Sequence, residues 1–195
     1  MTNRDEQKEQ RRIQILEAAL DLFIRKGYGE TKIADIADAA DMSMGLLFHY
    51  FESKEKLYEV LVRSGCERMK MEMAYTDGSP LEFFQAAAES VLAMIASNPS
   101  SAKMFVLMEQ AQHLDILSAE LKDMLSESNK LIEYCIPLIE LGQSSGEIND
   151  GNPEALSVAF WCSIQGIAQH MALLPKTPCP EPDWILSILK KEKQQ

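Results

Sequence analysis

Apolar residues recur at helical spacing along most of the chain, and this periodicity restricts it to an all-helical fold. Residues 9–27 show the pattern most clearly, because their apolar positions are separated by steps of three, four, three and one and share one helix face: Ile13, Leu16, Leu20, Phe23 and Ile24. No window alternates apolar and polar residues with the period of two that marks a strand, and no longer repeat is present. The sequence therefore predicts an all-α fold.

Start and stop signals divide the chain into about nine helices. The strongest start lies at residues 79–82, where Ser79 caps an orphan amide, Glu82 reaches back to the cap, and Pro80 occupies the first helical position, which needs no N–H group. Residues 152–154 repeat the pattern of a cap followed by proline. The predicted helices cover about 9–27, 31–40, 43–51, 53–74, 79–97, 100–113, 116–144 with a bend at Pro137, 153–174 and 183–192.

The longest stretch without a charged residue, 155–175, has the length of a membrane span but carries several polar residues. We interpret it as a buried helix and expect no membrane partner. Residues 2–12 are polar and contain no signal peptide, so the expected location is the cytoplasm. The 46% hydrophobic and 25% charged residues are typical of a globular protein.

Cysteine and histidine spacing gives no metal site. The four cysteines lack the short paired spacings of a zinc site or a redox dithiol, so we predict buried thiols outside any disulfide: Cys66, Cys135, Cys162 and Cys179. None of the three histidines forms an i, i+4 pair. No nucleophile elbow, phosphate loop or dinucleotide fingerprint is present, so we expect no enzymatic activity and no cofactor.

Acidic charge is concentrated in the second part of the chain. Residues 1–66 hold ten Lys or Arg against twelve Asp or Glu, a net charge of −2, while residues 67–195 hold nine against eighteen, a net charge of −9. This balance argues against indiscriminate binding to polyanions. It leaves a local DNA-binding patch possible, because charges are screened beyond about 8–10 Å.

Residues 31–51 have the pattern of a helix-turn-helix, with two short helices whose apolar residues face inward around a tight turn. Together with their flanks they resemble the tetracycline-repressor (TetR) family. The resemblance covers about residues 10–62 and rests on these positions: Ile15-Leu16-Glu17-Ala18-Ala19, Leu22-Phe23, Lys26-Gly27-Tyr28, Thr31, Ile36-Ala37, Ala40-Asp41-Met42-Ser43, Gly45, Leu47-Phe48-His49-Tyr50-Phe51, Ser53-Lys54-Glu55 and Leu57. It implies a DNA-binding domain over residues 1–66 and a helical ligand-binding and dimerisation domain over residues 67–195.

Two positions depart from the family pattern. Asp41 stands where a turn glycine is usual, and Asp tolerates a left-handed conformation better than most residues. Phe48 stands where Tyr is frequent and cannot donate a hydroxyl to a phosphate, although Tyr50 remains available.

The second short helix is the predicted recognition helix, and its amides at Ser43 suit a phosphate. The candidate DNA-binding residues are Thr31, Lys32, Ser43, Met44, Gly45, His49, Tyr50 and Lys54. Gly45 is equally explained as a small packing residue, and Lys54 as a solvated surface lysine. The basic residues of an N-terminal arm are equally phosphate contacts or a solvated segment: Arg4, Lys8, Arg11 and Arg12.

The second domain offers methionine and aromatic residues that suit an adaptable apolar cavity, although core packing explains many of them. The candidate ligand-binding residues are Phe84, Met104, Phe105, Met108, Gln112, Tyr134, Trp161 and Gln165. By the resemblance, the dimer interface lies on the last two helices, and its predicted face is Leu156, Ala159, Phe160, Ser163, Ile167, His170 and Leu174 with Trp184, Ile188 and Leu189.

These observations predict a homodimeric regulator that binds double-stranded operator DNA. It is expected to act as a repressor, released from DNA by an apolar or amphipathic small molecule. The alternative is a helical protein-interaction module of the same fold without specific DNA binding, which the net charge of −2 in residues 1–66 also fits.

Overall fold

The structure, a computed structural model, describes residues 3–71 and 78–192, and these residues form ten α-helices without a strand. The helices are α1 (Asn3–Glu30), α2 (Ile33–Ala39), α3 (Met44–Tyr50), α4 (Lys54–Met71), α5 (Pro80–Ser97), α6 (Pro99–Ala111), α7 (Ala119–Asn129), α8 (Leu131–Ser145), α9 (Pro153–Leu173) and α10 (Pro182–Leu186). The predicted all-α fold with an N-terminal helix-turn-helix is confirmed. The predicted end of the fourth helix, near residue 74, lies outside the described residues.

Most predicted helix caps are confirmed. The Ser43 hydroxyl accepts a hydrogen bond from the Leu46 amide at 3.2 Å and begins α3. Ser79 and Glu82 form the predicted capping box of α5. The Asn152 side chain accepts from the Ala155 amide at 2.9 Å and begins α9.

The predicted helix over 116–144 is wrong and explains why the structure has ten helices where nine were expected. Ser118 caps α7 through the Leu121 amide, and the chain leaves the helical conformation at Lys130 (φ −74°, ψ 4°) before α8 begins. Pro137 lies inside α8, which continues through it, because Cys135 and Ile139 on either side are buried in the core.

The predicted last helix, 183–192, is also too long. Helix α10 ends at Leu186, and the following residues pair with the loop after α8 instead. The Asn149 amide donates to the Leu189 carbonyl at 2.7 Å, and the Lys191 amide donates to the Glu147 carbonyl at 2.9 Å. These bonds replace the helical bonds that the sequence pattern suggested.

The predicted N-terminal arm is helical from Asn3 and continues directly into α1. Gly27, the predicted stop, adopts a left-handed φ of 78° and interrupts the helix there. A β-carbon is disfavoured in this conformation, so glycine is the residue that allows the interruption.

Two hydrophobic clusters form the core. The first joins α1 to α4 with α6 and α7, and includes Phe23, Tyr58 and Leu121. The second joins α5, α6, α8, α9 and α10 around Phe84 and Phe160, whose rings pack edge to face 5.1 Å apart. Helix α6 contributes to both clusters and so connects the helix-turn-helix to the rest of the described chain.

Within the described residues, no single helix is both apolar enough and long enough to cross a membrane. Helices α5 and α6 reach that length and composition only together, and they are bent by 109° at their junction.

Candidate DNA-recognition and ligand-binding sites

Helix α3 presents an exposed surface that we call the α3 surface: Met44, Gly45, Phe48 and His49. Its opposite side carries Leu47, which is fully buried in the first core cluster. Met44 is 46% exposed, and a β-carbon placed on Gly45 would meet no atom within 4 Å. The backbone of α3 at Gly45 is therefore open to close approach by a large ligand such as DNA.

Phe48 belongs to this surface, although it was not among the candidate DNA-binding residues. It is 45% exposed and lies one turn after Met44. Apolar side chains in the major groove contact the thymine methyl group, so the absence of a hydroxyl does not remove Phe48 from recognition. The available signal was its spacing from Met44, which places both residues on the side of α3 opposite Leu47.

The turn before α3 depends on Asp41, which has a φ of 52°. Asp41 is the one residue other than glycine with a positive φ in the described chain. Its predicted left-handed conformation is confirmed. The Met42 amide donates to the Ala37 carbonyl at 2.9 Å and closes the turn between α2 and α3.

Thr31, a candidate DNA-binding residue, has its side chain turned into the protein. Its side chain is 1% exposed, and its hydroxyl donates to the Gly27 carbonyl at 2.7 Å and lies 3.3 Å from the Leu22 carbonyl. It satisfies carbonyls at the end of α1 rather than an amide of α2, which begins after Lys32 without a side-chain cap. A hydroxyl held in this way is not available to a phosphate.

Lys54 is half-buried and is not a solvated surface lysine, while its phosphate contact stays a prediction. Its Nζ donates to the carbonyls of Tyr28 and Thr31, both at 2.9 Å, and lies 4.1 Å from the centre of the Tyr28 ring. We call this arrangement the Lys54 clamp. It fixes the start of α4 against the loop that joins α1 to α2.

The residue after Lys54 strengthens the same junction. The Tyr28 hydroxyl donates to the Glu55 carboxylate at 2.7 Å, and this bond lowers the pKa of Glu55. Burial raises the pKa of the Tyr28 hydroxyl well above its ordinary value, and the neighbouring Glu55 raises it further. Tyr28 therefore remains protonated and acts as a donor at neutral pH.

The other predicted DNA-binding residues lie near the α3 surface. Lys32 and Ser43 are exposed, at the starts of α2 and α3. Tyr50 is half-buried against the first core cluster, and its ring meets the His49 ring edge to face at 5.8 Å. Lys54 adds little positive charge to the α3 surface, because its Nζ donates to backbone carbonyls of the protein.

A cavity of about 180 Å³ lies between α4, α5, α6, α7, α8 and α9. Six of the predicted ligand-binding residues line it: Met104, Phe105, Met108, Gln112, Trp161 and Gln165. Phe84 does not, because it is fully buried against Phe160 in the second core cluster. Tyr134 does not either, because it is 50% exposed on α8.

Several polar residues line the cavity but were not among the predicted ligand-binding residues, including Arg68, Ser101 and Glu109. Arg68 of α4 points a guanidinium nitrogen at the Ser101 hydroxyl, 3.5 Å away. The Gln165 amide nitrogen donates to the Glu109 carboxylate at 2.9 Å. Only the helical register of α6, which places Ser101 and Glu109 on the face of Phe105, signals this in the sequence.

Gly65 of α4 forms a notch in the cavity wall. A β-carbon placed there would lie 2.4 Å from the sulfur of Met108 and 3.2 Å from that of Met104. The Met108 thioether packs into this notch and also lines the cavity. A larger residue at position 65 would force the Met108 side chain to move.

Large apolar side chains are also exposed on α8, α9 and α10: Tyr134, Leu141, Val158, Leu173 and Trp184. Phe160 and Leu189, expected at a dimer interface, are instead fully buried within the protomer. Cys162, expected to be buried, is exposed on α9, while Cys66 and Cys135 are buried as predicted.

The described residues contain no group of three or more His, Cys, Asp or Glu side chains arranged to hold a metal ion. The thiol of Cys135 is apolar in character, because burial raises its pKa to about 11, and it accepts a hydrogen bond from the Trp161 indole at 3.3 Å.

Comparison with known proteins gives a consistent assignment. Residues 15–61 match the family described as bacterial regulatory proteins, tetR family. The chain is 28% identical over 159 residues to the HTH-type transcriptional regulator RutR of Escherichia coli K12, covering 79% of this chain and 72% of RutR.

Two solved structures share its fold. The ketosteroid transcriptional regulator KstR2 of Mycobacterium tuberculosis has a TM-score of 0.71 at 22% identity, over 93% of this chain and 96% of KstR2. AibR in complex with isovaleryl coenzyme A and operator DNA has a TM-score of 0.64 at 18% identity, over 91% of this chain and 94% of AibR. The matched helix-turn-helix, the shared fold and the related regulators agree and together support a transcriptional regulator of the tetracycline-repressor family.

Proposed function

We propose that this chain is a ligand-responsive repressor that binds operator DNA as a homodimer and is released from it by an apolar or amphipathic small molecule. The observation that carries the proposal is the position of α4. Its first turn holds the Lys54 clamp beside the helix-turn-helix, and Gly65 and Arg68 further along line the cavity. One helix thus touches both sites.

Helix α6 provides a second connection. It lines the cavity through Met104 and Met108, and its Lys103 pairs with Asp21 of α1. A ligand that moves α4 or α6 would therefore change the placement of α1 and the helices packed on it. A differential affinity of about 1–3 kcal/mol between the two arrangements corresponds to a response of about 5–150-fold.

We assign DNA recognition to the α3 surface, with Lys32, Ser43 and Tyr50 contacting the backbone. Thr31 and Lys54 hold the helices in place and do not contact DNA. Paired half-sites about 34–36 Å apart require two α3 helices related by two-fold symmetry, which is the reason for a dimer. The exposed apolar residues of α8, α9 and α10 supply the proposed interface.

The experiment is a titration of duplex DNA from upstream of the chain's own gene, at several salt concentrations, with and without compounds that raise the melting temperature. We expect salt-dependent binding that a stabilising compound weakens. His49→Ala should change the preference among DNA sequences, while Glu154→Ala on α9 serves as a control.

Two results would overturn the proposal. Compounds that stabilise the chain without changing DNA affinity would leave a DNA-binding protein with a pocket and no switch. Binding no tighter to this DNA than to an unrelated duplex would favour the alternative, a helical interaction module. Support for regulation over catalysis comes from the related regulators and from the lack of a catalytic motif.

A further inference from the structure

The polar pair Glu109 and Gln165 is the feature of the cavity that the proposed function leaves unexplained. The two residues come from facing helices, α6 and α9, and both line the cavity. A carboxylate in a mostly apolar cavity is costly unless it is paired. Yet Glu109 forms no ion pair with any Lys, Arg or His among the described residues.

The hydrogen bond between them fixes which atoms remain for a ligand. An ionised carboxylate can only accept, so the amide nitrogen of Gln165 has to face Glu109, as it does at 2.9 Å. The carbonyl oxygen of Gln165 and the second carboxylate oxygen of Glu109 are left as acceptors. Two acceptors with one negative charge match a ligand that brings several N–H donors and a positive charge.

Aromatic rings lie one helical turn before each polar group. Phe105 precedes Glu109 on α6, and Trp161 precedes Gln165 on α9, so each pair shares one face of its helix. Aromatic faces attract cations, most strongly where water is excluded. The cavity lining therefore includes two aromatic rings that favour a cation over an anion on the same helices as the polar pair.

The charge of the surrounding protein acts in the same direction, because residues 67–195 have a net charge of −9. The opposing cation is Arg68, which is exposed and lies by Ser101. Ser101 and Glu109 are eight positions apart on α6, or about 12 Å at the rise of an α-helix. Among the described residues Arg68 forms no ion pair with Glu109, so it does not neutralise the carboxylate directly.

From this geometry we infer that the effector is an organic cation, a protonated amine on an apolar or aromatic body, held by Glu109 and Gln165. The role of the bound cation as an effector rests on the proposed function. The binding of the cation to the cavity does not depend on that function. The cavity of about 180 Å³ limits the body to a small one. A dry cavity of about 150 Å³ holds benzene.

The test uses three probes with one body and three charges: phenylpropylamine, phenylpropanol and phenylpropanoate. Their binding to the full chain is measured by titration calorimetry. We expect the amine to bind roughly 10-fold more tightly than the alcohol, as one charge-assisted hydrogen bond implies, and the carboxylate to bind most weakly. The advantage of the amine should shrink as salt is added.

Matched variants locate the preference. Glu109→Gln should reduce the advantage of the amine to less than about 2-fold, while Glu109→Asp, which keeps the charge, should retain it. Glu89→Gln is the control, because Glu89 accepts from Gln85 at the same 2.9 Å on an exposed part of α5 that does not line the cavity. If Glu109→Gln fails to fold, the salt dependence in the unmodified chain decides.

Tighter binding of phenylpropanoate, equal binding of all three probes, no binding of the amine at millimolar concentration, or an amine advantage that survives in Glu109→Gln would each overturn the inference. A DNA titration on the same samples separates it from the proposed function. If the amine binds through Glu109 without weakening DNA binding, the proposed switch is contradicted and the inferred ligand class is supported. If phenylpropanoate alone releases the DNA, the proposed switch is supported and the inferred ligand class is contradicted.

Discussion

The helix-turn-helix and the cavity are held together by different kinds of contact. In the helix-turn-helix, polar side chains reach backbone carbonyls far away in the sequence, as Lys54 does to Thr31 and as Gln14 does to Ala40 at 2.9 Å. The cavity is instead lined mainly by apolar side chains, including the flexible Met104 and Met108. Directional bonds fix the first region, while the second is free to repack.

The difference matches what each region has to do. DNA recognition needs α3 in one orientation, and hydrogen bonds to helix ends have strict geometry. A ligand cavity needs walls that adapt, and methionine has several rotatable bonds and a polarisable sulfur. We therefore expect substitutions in the first region to change stability most, and substitutions in the second to change ligand binding most.

The largest expected effect is the loss of the Lys54 clamp. Lys54→Met leaves the carbonyls of Tyr28 and Thr31 without their charged donor and should lower the free energy of unfolding by about 2–3 kcal/mol, measured by denaturant titration. The matched control is Lys56→Met. Lys56 is exposed and pairs with Glu59 at the protein surface, so its replacement should cost less than about 0.5 kcal/mol.

The same variant distinguishes positioning from phosphate contact. If Lys54 does not touch DNA, Lys54→Met weakens binding but leaves unchanged the slope of log affinity against log salt. A slope smaller by about one would mean that Lys54 does contact a phosphate and would overturn a purely positioning role.

Filling the Gly65 notch should have the next largest effect, and mainly on ligand binding. In Gly65→Ala the new β-carbon displaces the Met108 thioether, and Met108 also lines the cavity, so we expect the displaced side chain to take up cavity space. We expect phenylpropyl probes to bind roughly 10-fold more weakly, equivalent to one or two lost methylene contacts. The melting temperature should change little, because alanine favours the helix while repacking opposes it.

A double variant checks the cause. Gly65→Ala with Met108→Ala removes the displaced thioether and should restore probe binding. Failure to restore it would show that Gly65→Ala acts by moving α4 rather than by filling the cavity.

The turn before α3 gives a smaller effect of opposite sign. Asp41→Gly should raise the free energy of unfolding by up to about 1 kcal/mol, because glycine has no β-carbon to oppose a φ of 52°. Asp38→Gly, in the helical conformation of α2, should lower it by about 0.5–1 kcal/mol. Two losses of stability would show that the Asp41 side chain is itself needed in the turn.

The smallest effect concerns acid. The Tyr28 hydrogen bond lowers the pKa of Glu55 in the folded chain, so this contact stabilises the chain fully above the unfolded pKa of about 4.3 and is lost as pH falls through the lower folded value. The difference in melting temperature between the unmodified chain and Glu55→Gln should therefore shrink below about pH 4.3. A constant difference would mean that the bond does not depend on the charge of Glu55.

Local signals in the sequence predicted the ends of many helices. Caps such as Ser43 and the left-handed turn at Asp41 depend on neighbouring residues, so they can be read from a short window. Pro137 was expected to bend a helix, and α8 does continue through it. The break at Lys130 could not be predicted in this way, because no proline or glycine lies there in the sequence.

The functional residues were harder to predict, because their roles depend on distant partners. Lys54 lies at a position suited to a phosphate contact, yet carbonyls more than twenty residues earlier in the chain accept its hydrogen bonds. Glu109 becomes notable only when Gln165 meets it across the cavity. Phe84 and Tyr134 are aromatic, like the cavity residues Phe105 and Trp161, and the sequence alone does not show that Phe84 is buried elsewhere and Tyr134 is exposed.

The exposure of Cys162 gives the molecule a built-in reporter of its assembly. Its thiol lies on α9 one helical turn after Val158, which is also exposed, while Cys66 and Cys135 are buried in the core. A thiol-reactive dye should therefore modify Cys162 before those two buried thiols. If two protomers meet through α9, the rate of that reaction falls as the protein concentration rises, so the association of two copies can be followed without any engineered label.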